Sequence, residues 1–342
     1  MTQAPRKSPP RVTLEDVARR AQTSTITVSR ALRRPGMVSE KLRERIAKAV
    51  TELGYVPDPA ASALASRRSN VIGVLIPSVT NSVFAEVLSG LYDTIAGKPF
   101  NAQLGNTRYA PETEDELIRV FLSQRPAGLV VTGIDQSPVS RALLAAADCP
   151  VVQIMELGET PTDMMVGFSH RDAARTATDH LIERGYKFPA FIGARMDPRS
   201  ERRLQGFRDA IAAADIAEGD RVVTTPTPSS VTLGETLLAE LLAQAPETDA
   251  ILCNNDDLAL GVQFAAHRRG IAIGPELGLC GFNDIEVMEA AHPSITSVRT
   301  FRREMGRLAI DMLMARIEGK DVDENVRDLG YALMPRDSTM RE

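Results

Sequence analysis

From Val71 onward, short apolar runs alternate with stretches of helical periodicity, and nothing else in the 342-residue chain constrains the fold as strongly. "VIGVLI" (71–76), "AGLVVTG" (127–133), "PVVQIM" (150–155), "PAFIGA" (189–194), "DAILCN" (249–254) and "LGLCGF" (277–282) read as strands. Helices are predicted between them, near 83–96, 112–124, 138–147, 171–184, 200–213, 231–244 and 256–268. Strand and helix in alternation build a parallel α/β sheet, because each crossover must carry the chain back to the same end. Roughly 270 residues is long for one such sheet. Two similar halves are therefore expected, breaking near Val166–Ser169 and again near Asn283–Pro293. A cleft between two doubly wound halves gathers the carboxyl ends of strands around a ligand.

The first 68 residues have a different texture. They hold 14 Lys/Arg against 6 Asp/Glu, whereas the remainder holds 26 against 39. A basic head on an acidic body suits a head that meets an anionic polymer. After a Pro- and Arg-rich start come three short helical patterns, Leu14–Ala21, Thr25–Leu32 and Glu40–Leu53, the last with Ser39 as its expected N-cap and Gly54 as its stop. "VTLEDVARRAQTSTITVSRALRRP" has the layout of a helix-turn-helix: Val17, Ala18 and Ala21 face inward, with Val28 and Leu32 facing back into the same core. The opposite face shows Thr25, Ile26, Ser29, Arg30 and Arg33. Short hydroxyls are poor helix formers. Near a helix N-terminus, however, they contact phosphates that the helix dipole also attracts. Arg30 is long enough to present two donors to a guanine edge, and Ile26 suits a thymine methyl. "DPAASALAS" (58–66) is too short to be stable as an isolated helix.

"VTLEDVA", "TVSRAL" and "VSEKLRERIAKAVTELGYVPDPAASALAS" together resemble the head of the LacI/GalR family of bacterial repressors, without gaps through residues 12–66. Within that family the body is most similar to the gluconate-utilisation repressors, through "GVLIPSVTNSVFAEVLSG" (73–90), "VGFSH" (166–170), "GARMDPRS" (193–200) and "CNNDDLALG" (253–261). The resemblance implies three parts. These are an all-α helix-turn-helix head over 11–57, a hinge helix and linker over 58–69, and a two-lobed periplasmic-binding-protein-like core over 70–342. It also implies a homodimer on pseudo-palindromic double-stranded operator DNA, controlled by a small effector. By matching positions, Ser24, Thr27 and Ser29 become phosphate contacts, Thr25 and Ile26 specificity positions, and Arg30 the base-reading arginine. Leu64 becomes the apolar wedge of two paired hinge helices in the minor groove, with Arg67 and Arg68 near phosphates. Gln22 departs from the pattern, since the family usually has the turn glycine there.

In the body, "GARMDPRSERRLQGF" (193–207) sets Arg195, Arg199 and Arg203 four residues apart after a strand, a good place for an anion. A solvated helix face paired with Glu201 or Asp209 is the plainer alternative, and the family match singles out Arg203 as a ligand contact. Many family members carry Asp where this chain has Asn283, so losing that charge favours a sugar acid over a neutral sugar. Asn255 matches a second polar contact, Asp256 is expected to cap the helix that follows, and Phe84 matches an aromatic that stacks on ligands. Ser78, Asn81 and Thr132 fall at strand mouths of the first half. Gluconate or a relative is the expected effector.

Other classes fit less well. There is no Walker loop, no G-x-G-x-x-G after a strand, no serine elbow and no zincin helix, so an enzyme is not expected. His170, His180, His267 and His292 lack metal-ligand spacing, His170 reading as a surface or hinge residue, and no cofactor is expected. Cys149, Cys253 and Cys280 imply no disulfide framework, and the sequence shows neither a signal-peptide core nor a membrane-length apolar run. These features point to a cytoplasmic protein. No heptad follows residue 320, so a lac-type tetramerisation helix is not expected.

Overall fold

The computed structural model describes residues 12–33, 35–56 and 69–341. The chain divides into two compact units, with the boundary along the sequence between Ser69 and Asn70. The first contains α1 (Leu14–Arg20), α2 (Thr25–Arg33) and α3 (Glu40–Leu53). Thr13 caps α1 through a reciprocal pair with Asp16, satisfying backbone donors at both ends of the box. Ser39 occupies the cap position of α3, but its side chain makes no cap bond. Its carbonyl accepts from Leu42 and Arg43 instead. Gly54 ends α3 in the left-handed region, at φ 63°. Val17, Ala18, Ala21, Val28, Ala31, Ile46 and Ala49 form the core of this unit. Leu32, expected inside, is 39% exposed, and Ala31 is buried in its place. At 100° per residue a one-position error swings a side chain from core to solvent, and the smaller residue fits the close crossing.

The second unit carries two six-stranded sheets. One lobe orders its strands β11-β5-β4-β3-β1-β2 and the other β12-β10-β9-β8-β6-β7. In chain order these are β1 (Val71–Ile76), β2 (Asn101–Asn106), β3 (Gly128–Thr132), β4 (Val151–Ile154), β5 (Met164–Gly167), β6 (Pro189–Ala194), β7 (Val222–Thr225), β8 (Ala250–Cys253), β9 (Gly278–Asn283), β10 (Thr296–Thr300), β11 (Val326–Asp328) and β12 (Tyr331–Met334). Every named pair is parallel except β10 with β12. The helices are α4 (Ser82–Ile95), α5 (Pro111–Ser123), α6 (Pro138–Ala145), α7 (His170–Glu183), α8 (Pro198–Ala213), α9 (Val231–Gln244), α10 (Asp256–Arg268), α11 (Val287–Ala290) and α12 (Arg302–Ile317).

The chain first changes lobe between β5 and α7, where a break was expected. The second change is not at Asn283–Pro293. β9 and β10 are neighbours in one sheet, so the chain leaves that lobe only after Thr300, when α12 packs on α4. A third crossing joins β11 to β12 around Gly330. Three strands of chain thus link the lobes. α4 and α12 approach so closely that a Cβ on Gly306 would overlap the Val87 carbonyl oxygen, and one on Gly90 would overlap that of Arg303. Among the described residues, no helix is long and apolar enough to cross a membrane.

Candidate functional site

Helix α2 presents the polar face that its sequence predicts. Ile26 is 68% exposed, an unusual position for an isoleucine outside an interface. Ser24, Thr25 and Arg30 are exposed, while Thr27 and Ser29 are half-buried. Ser24 Oγ accepts from the Thr27 N–H at 3.2 Å and lies 2.8 Å from Thr27 Oγ1, so it caps the helix while remaining at the surface. Arg33 ends the helix, its side chain lying outside the described residues. Gln22 takes φ 48°, the left-handed turn that a glycine would adopt more easily. The Arg45 guanidinium donates to the Gln22 carbonyl at 3.2 Å and holds the turn in place. Leu64, Arg67, Arg68 and the rest of residues 58–68 lie outside the described residues.

The second candidate region lies at the carboxyl ends of strands from both lobes. A cavity of about 50 Å3 is lined by Asn81, Phe84, Arg195, Arg199, Arg203, Asn255 and Asn283, all singled out from the sequence. Thr132 lines an adjoining cavity of about 140 Å3 that shares Tyr109, Asp197 and Arg199 with the first. Ser78 lines neither. Its hydroxyl accepts from Thr80 and Asn81 backbone N–H groups and shapes the turn before α4. Several of the others also hold the scaffold. Asn81 Oδ1 caps α4, Asn255 Oδ1 caps α10, and the Thr132 hydroxyl donates to the Leu75 carbonyl at 2.9 Å. Asp256 is therefore not the cap of α10. It is buried inside the first turn, where it accepts from Ser297 Oγ at 2.6 Å and the Ile285 N–H at 2.9 Å. Burial pushes its carboxyl up to about 6 despite those bonds.

Arg203 is the centre of the site. It is 8% exposed on α8. Its Nε donates to His170 Nδ1 at 3.0 Å, an Nη donates to the Asn254 carbonyl, and its guanidinium lies 3.8 Å from the centroid of the Phe282 ring. Among the described residues no carboxylate forms an ion pair with it, the nearest acids acting only at longer range. Burial accordingly pulls the guanidinium down to about 10, still charged at neutral pH. His170, expected at the surface or the hinge, is fully buried. Its Nε2 bonds the Met155 carbonyl at 2.7 Å, so Nε2 carries the proton and Nδ1 is the acceptor for Arg203. Burial first, then Arg203 and Arg199, hold the imidazole well below its usual range and therefore neutral.

Asn283 closes the opposite wall. It ends β9 at φ 112°, a conformation that side-chain-bearing residues seldom adopt, and its buried Oδ1 has no hydrogen-bond partner. Arg199 lies over Phe84 and pairs with Asp197 at 3.3 Å. Burial disfavours ionised Asp197, but Arg199, the Ser200 N–H and Arg203 outweigh it and keep the carboxyl below its ordinary value. Phe84 is also a core residue, 2% exposed. Glu201 and Asp209 do not pair with these arginines. Asp209 instead binds Arg171. Arg195 is not on the helix. It sits in the preceding loop at φ 66°, over the Tyr109 ring of the other lobe.

Sequence reasoning missed Tyr109, Asp197 and His170. Tyr109 follows β2, a strand whose polar sequence hid it. The one legible signal was the Asp-Pro pair at 197–198, a helix start that places a carboxylate beside the arginines. The lobes are joined across the cleft by Arg202, which makes bidentate bonds of 2.7 and 2.8 Å to Asp135 and lies 3.6 Å from Glu156.

Known proteins are similar to this chain in sequence and in architecture. Residues 13–58 match the family model of bacterial regulatory proteins of the lacI family, and residues 178–339 match a periplasmic binding protein-like domain. The chain is 40% identical to the HTH-type transcriptional regulator GntR of Pseudomonas aeruginosa over 96% of both chains. It is 36% identical to GntR of Escherichia coli K12, covering 95% of this chain and 98% of that one. A LacI-family transcriptional regulator from Silicibacter pomeroyi superposes with a TM-score of 0.91 at 34% identity, covering 96% of this chain and all of the other. The lac repressor dimer bound to operator and the anti-inducer ONPF superposes at 0.83 with 25% identity, covering 96% and 99%.

Proposed function

The chain belongs to the LacI family of bacterial regulatory proteins and is a DNA-binding transcriptional regulator, and from that premise we propose that a sugar acid, gluconate or a close relative, binds between its lobes and lowers its affinity for operator DNA. The observation that carries this reading is the buried Arg203 guanidinium, which lines the cleft without a carboxylate ion pair among the described residues. An anionic ligand supplies the missing counter-charge in a shielded site, where a charge-assisted bond is strongest. Arg199 lines the same wall with its charge shared with Asp197, and Asn283 offers an unpartnered carbonyl to a hydroxyl without the negative charge that would repel an acid. Asn81 has its amide left for the polyol chain once its oxygen has capped α4, whereas the Asn255 amide also donates to Asn254 Oδ1 at 3.1 Å and keeps one N–H for a ligand.

The DNA side of the proposal rests on α2. Its exposed face combines Thr25 and Ile26 for base edges, Arg30 for a guanine, and Ser24, Thr27 and Ser29 for phosphates, with Arg33 beyond them. Two copies of this head, with Leu64 wedged into the minor groove, read a pseudo-palindromic site as a homodimer. Ligand contacts on both walls of the cleft favour one arrangement of the lobes, which is how a small molecule gains leverage over the head.

Operator binding by the full chain at fixed salt, with and without gluconate, ketogluconates, phosphogluconate and glucose, tests the reading. Weakened operator binding with the acid and none with glucose is expected. A response to glucose alone overturns the sugar-acid assignment.

A further inference from the structure

Beyond Arg199, the cleft continues into the larger cavity, and its far wall is built differently. Most polar groups there are already committed. Gln136 donates to the Gly133 carbonyl and accepts from Gln153, each at 2.9 Å. Ser137 donates to Asp115, and Asp135 is occupied by Arg202. Glu114 is differently placed. It stands in the first turn of α5, lines the cavity, and leaves Oε1 buried with no hydrogen-bond partner. No arginine or lysine among the described residues forms an ion pair with it.

Native interiors pair nearly all their buried polar atoms, so an acceptor left bare beside a cavity fits a donor brought from outside. Resting on the sugar-acid reading above, we propose that Glu114 receives the terminal hydroxyl of the effector and repels a second carboxylate there, so that the cleft selects monocarboxylic over dicarboxylic sugar acids. The cation at one end and the carboxyl at the other give the chain a direction: carboxylate toward Arg199 and Arg203, hydroxyl terminus toward Glu114. A dicarboxylate satisfies the first end equally well and meets a bare carboxyl oxygen at the second. Burial, then Asp115, push the Glu114 carboxyl up to about 7, so it ionises only partly at neutral pH. Protonated, it accepts from a hydroxyl but also donates to a carboxylate, and ionised it opposes a carboxylate outright, so the selection is expected above pH 7.

Calorimetry on the full chain, wild type and Glu114→Gln, with gluconate, glucarate and the neutral polyol glucitol, tests this at pH 8. Wild type is expected to bind gluconate at least about tenfold more tightly than glucarate, and Glu114→Gln to narrow that ratio below about threefold with an unchanged melting temperature. Equal wild-type affinity for the two acids, or an unchanged ratio in the variant, overturns the assignment. If glucitol outbinds both acids, the sugar-acid reading falls and Glu114 is judged on glucitol alone. A loss of about tenfold in Glu114→Ala then upholds the hydroxyl contact, and undiminished binding removes it.

Discussion

Arg203→Gln separates charge from packing in this cleft. Holding the guanidinium charged while burial lowers it from its ordinary 12.5 to about 10 corresponds to about 3 kcal/mol. An incoming carboxylate recovers much of that by supplying a counter-charge, and 3 kcal/mol is roughly a hundredfold in affinity. The Gln variant removes the charge and its burial penalty together. It also removes the donors to His170 Nδ1 and the Asn254 carbonyl, each costing about 1–3 kcal/mol if left unpaired, and the contact with the Phe282 ring. The gain and the losses are of similar size, so the free protein should melt within roughly 5 °C of wild type. Gluconate affinity should fall about a hundredfold, while a neutral polyol such as glucitol, if it binds, should lose far less. Calorimetry with both ligands and a thermal melt of each free protein give these quantities. Gluconate binding within about threefold of wild type would refute the counter-charge argument. An equal loss for both ligands would do so as well, because it would mean that the wall had collapsed and not that a charge was missing.

Other perturbations probe different parts of the molecule. Arg30→Ala should lose discrimination at one base pair per half-site, by about 1–3 kcal/mol in an operator panel at fixed salt, and intact base preference would show that α2 docks otherwise. Asn283→Asp places a negative charge in a 4%-exposed position on the cleft wall and should weaken gluconate while sparing glucose, read by calorimetry with the two side by side. Gly306→Ala drives a methyl into the Val87 carbonyl and should destabilise the body by about 1–3 kcal/mol in denaturant melts, with no effect expected on the isolated chemistry of the head. Asp256, raised to about 6 in the folded state from an ordinary 3.8, binds its proton more tightly folded than unfolded. Its contribution to stability is complete below about pH 4 and is lost as pH rises through 6, so Asp256→Asn should flatten the pH dependence of unfolding in that window.

What was legible in the sequence was local. α3 and α10 and the strands β1 and β6 follow from periodicity, because a 3.6- or 2-residue repeat and a cap residue act within a few positions of the chain. The exposed face of α2 was readable for the same reason. Edge strands were not: β2 is largely polar, β7 is only four residues long, and they owe their pairing to β1 and β6. β10 reads as "TSVRT", and its hydroxyls are buried only because Asp256, Arg336 and Ser338 come from elsewhere to bond that strand. α12 escaped because it is buried on more than one side, leaving little amphipathic contrast, and with it went the true position of the second lobe crossing. Arg199 and Arg203 could be seen to share a helix face. That Arg203 would be buried, held by His170 and the Asn254 carbonyl, depended on residues 33 and 51 positions away. Chain order fixes which side chains exist and how they repeat, but a charge's environment is set by which distant segments exclude water from it, and only tertiary packing decides that.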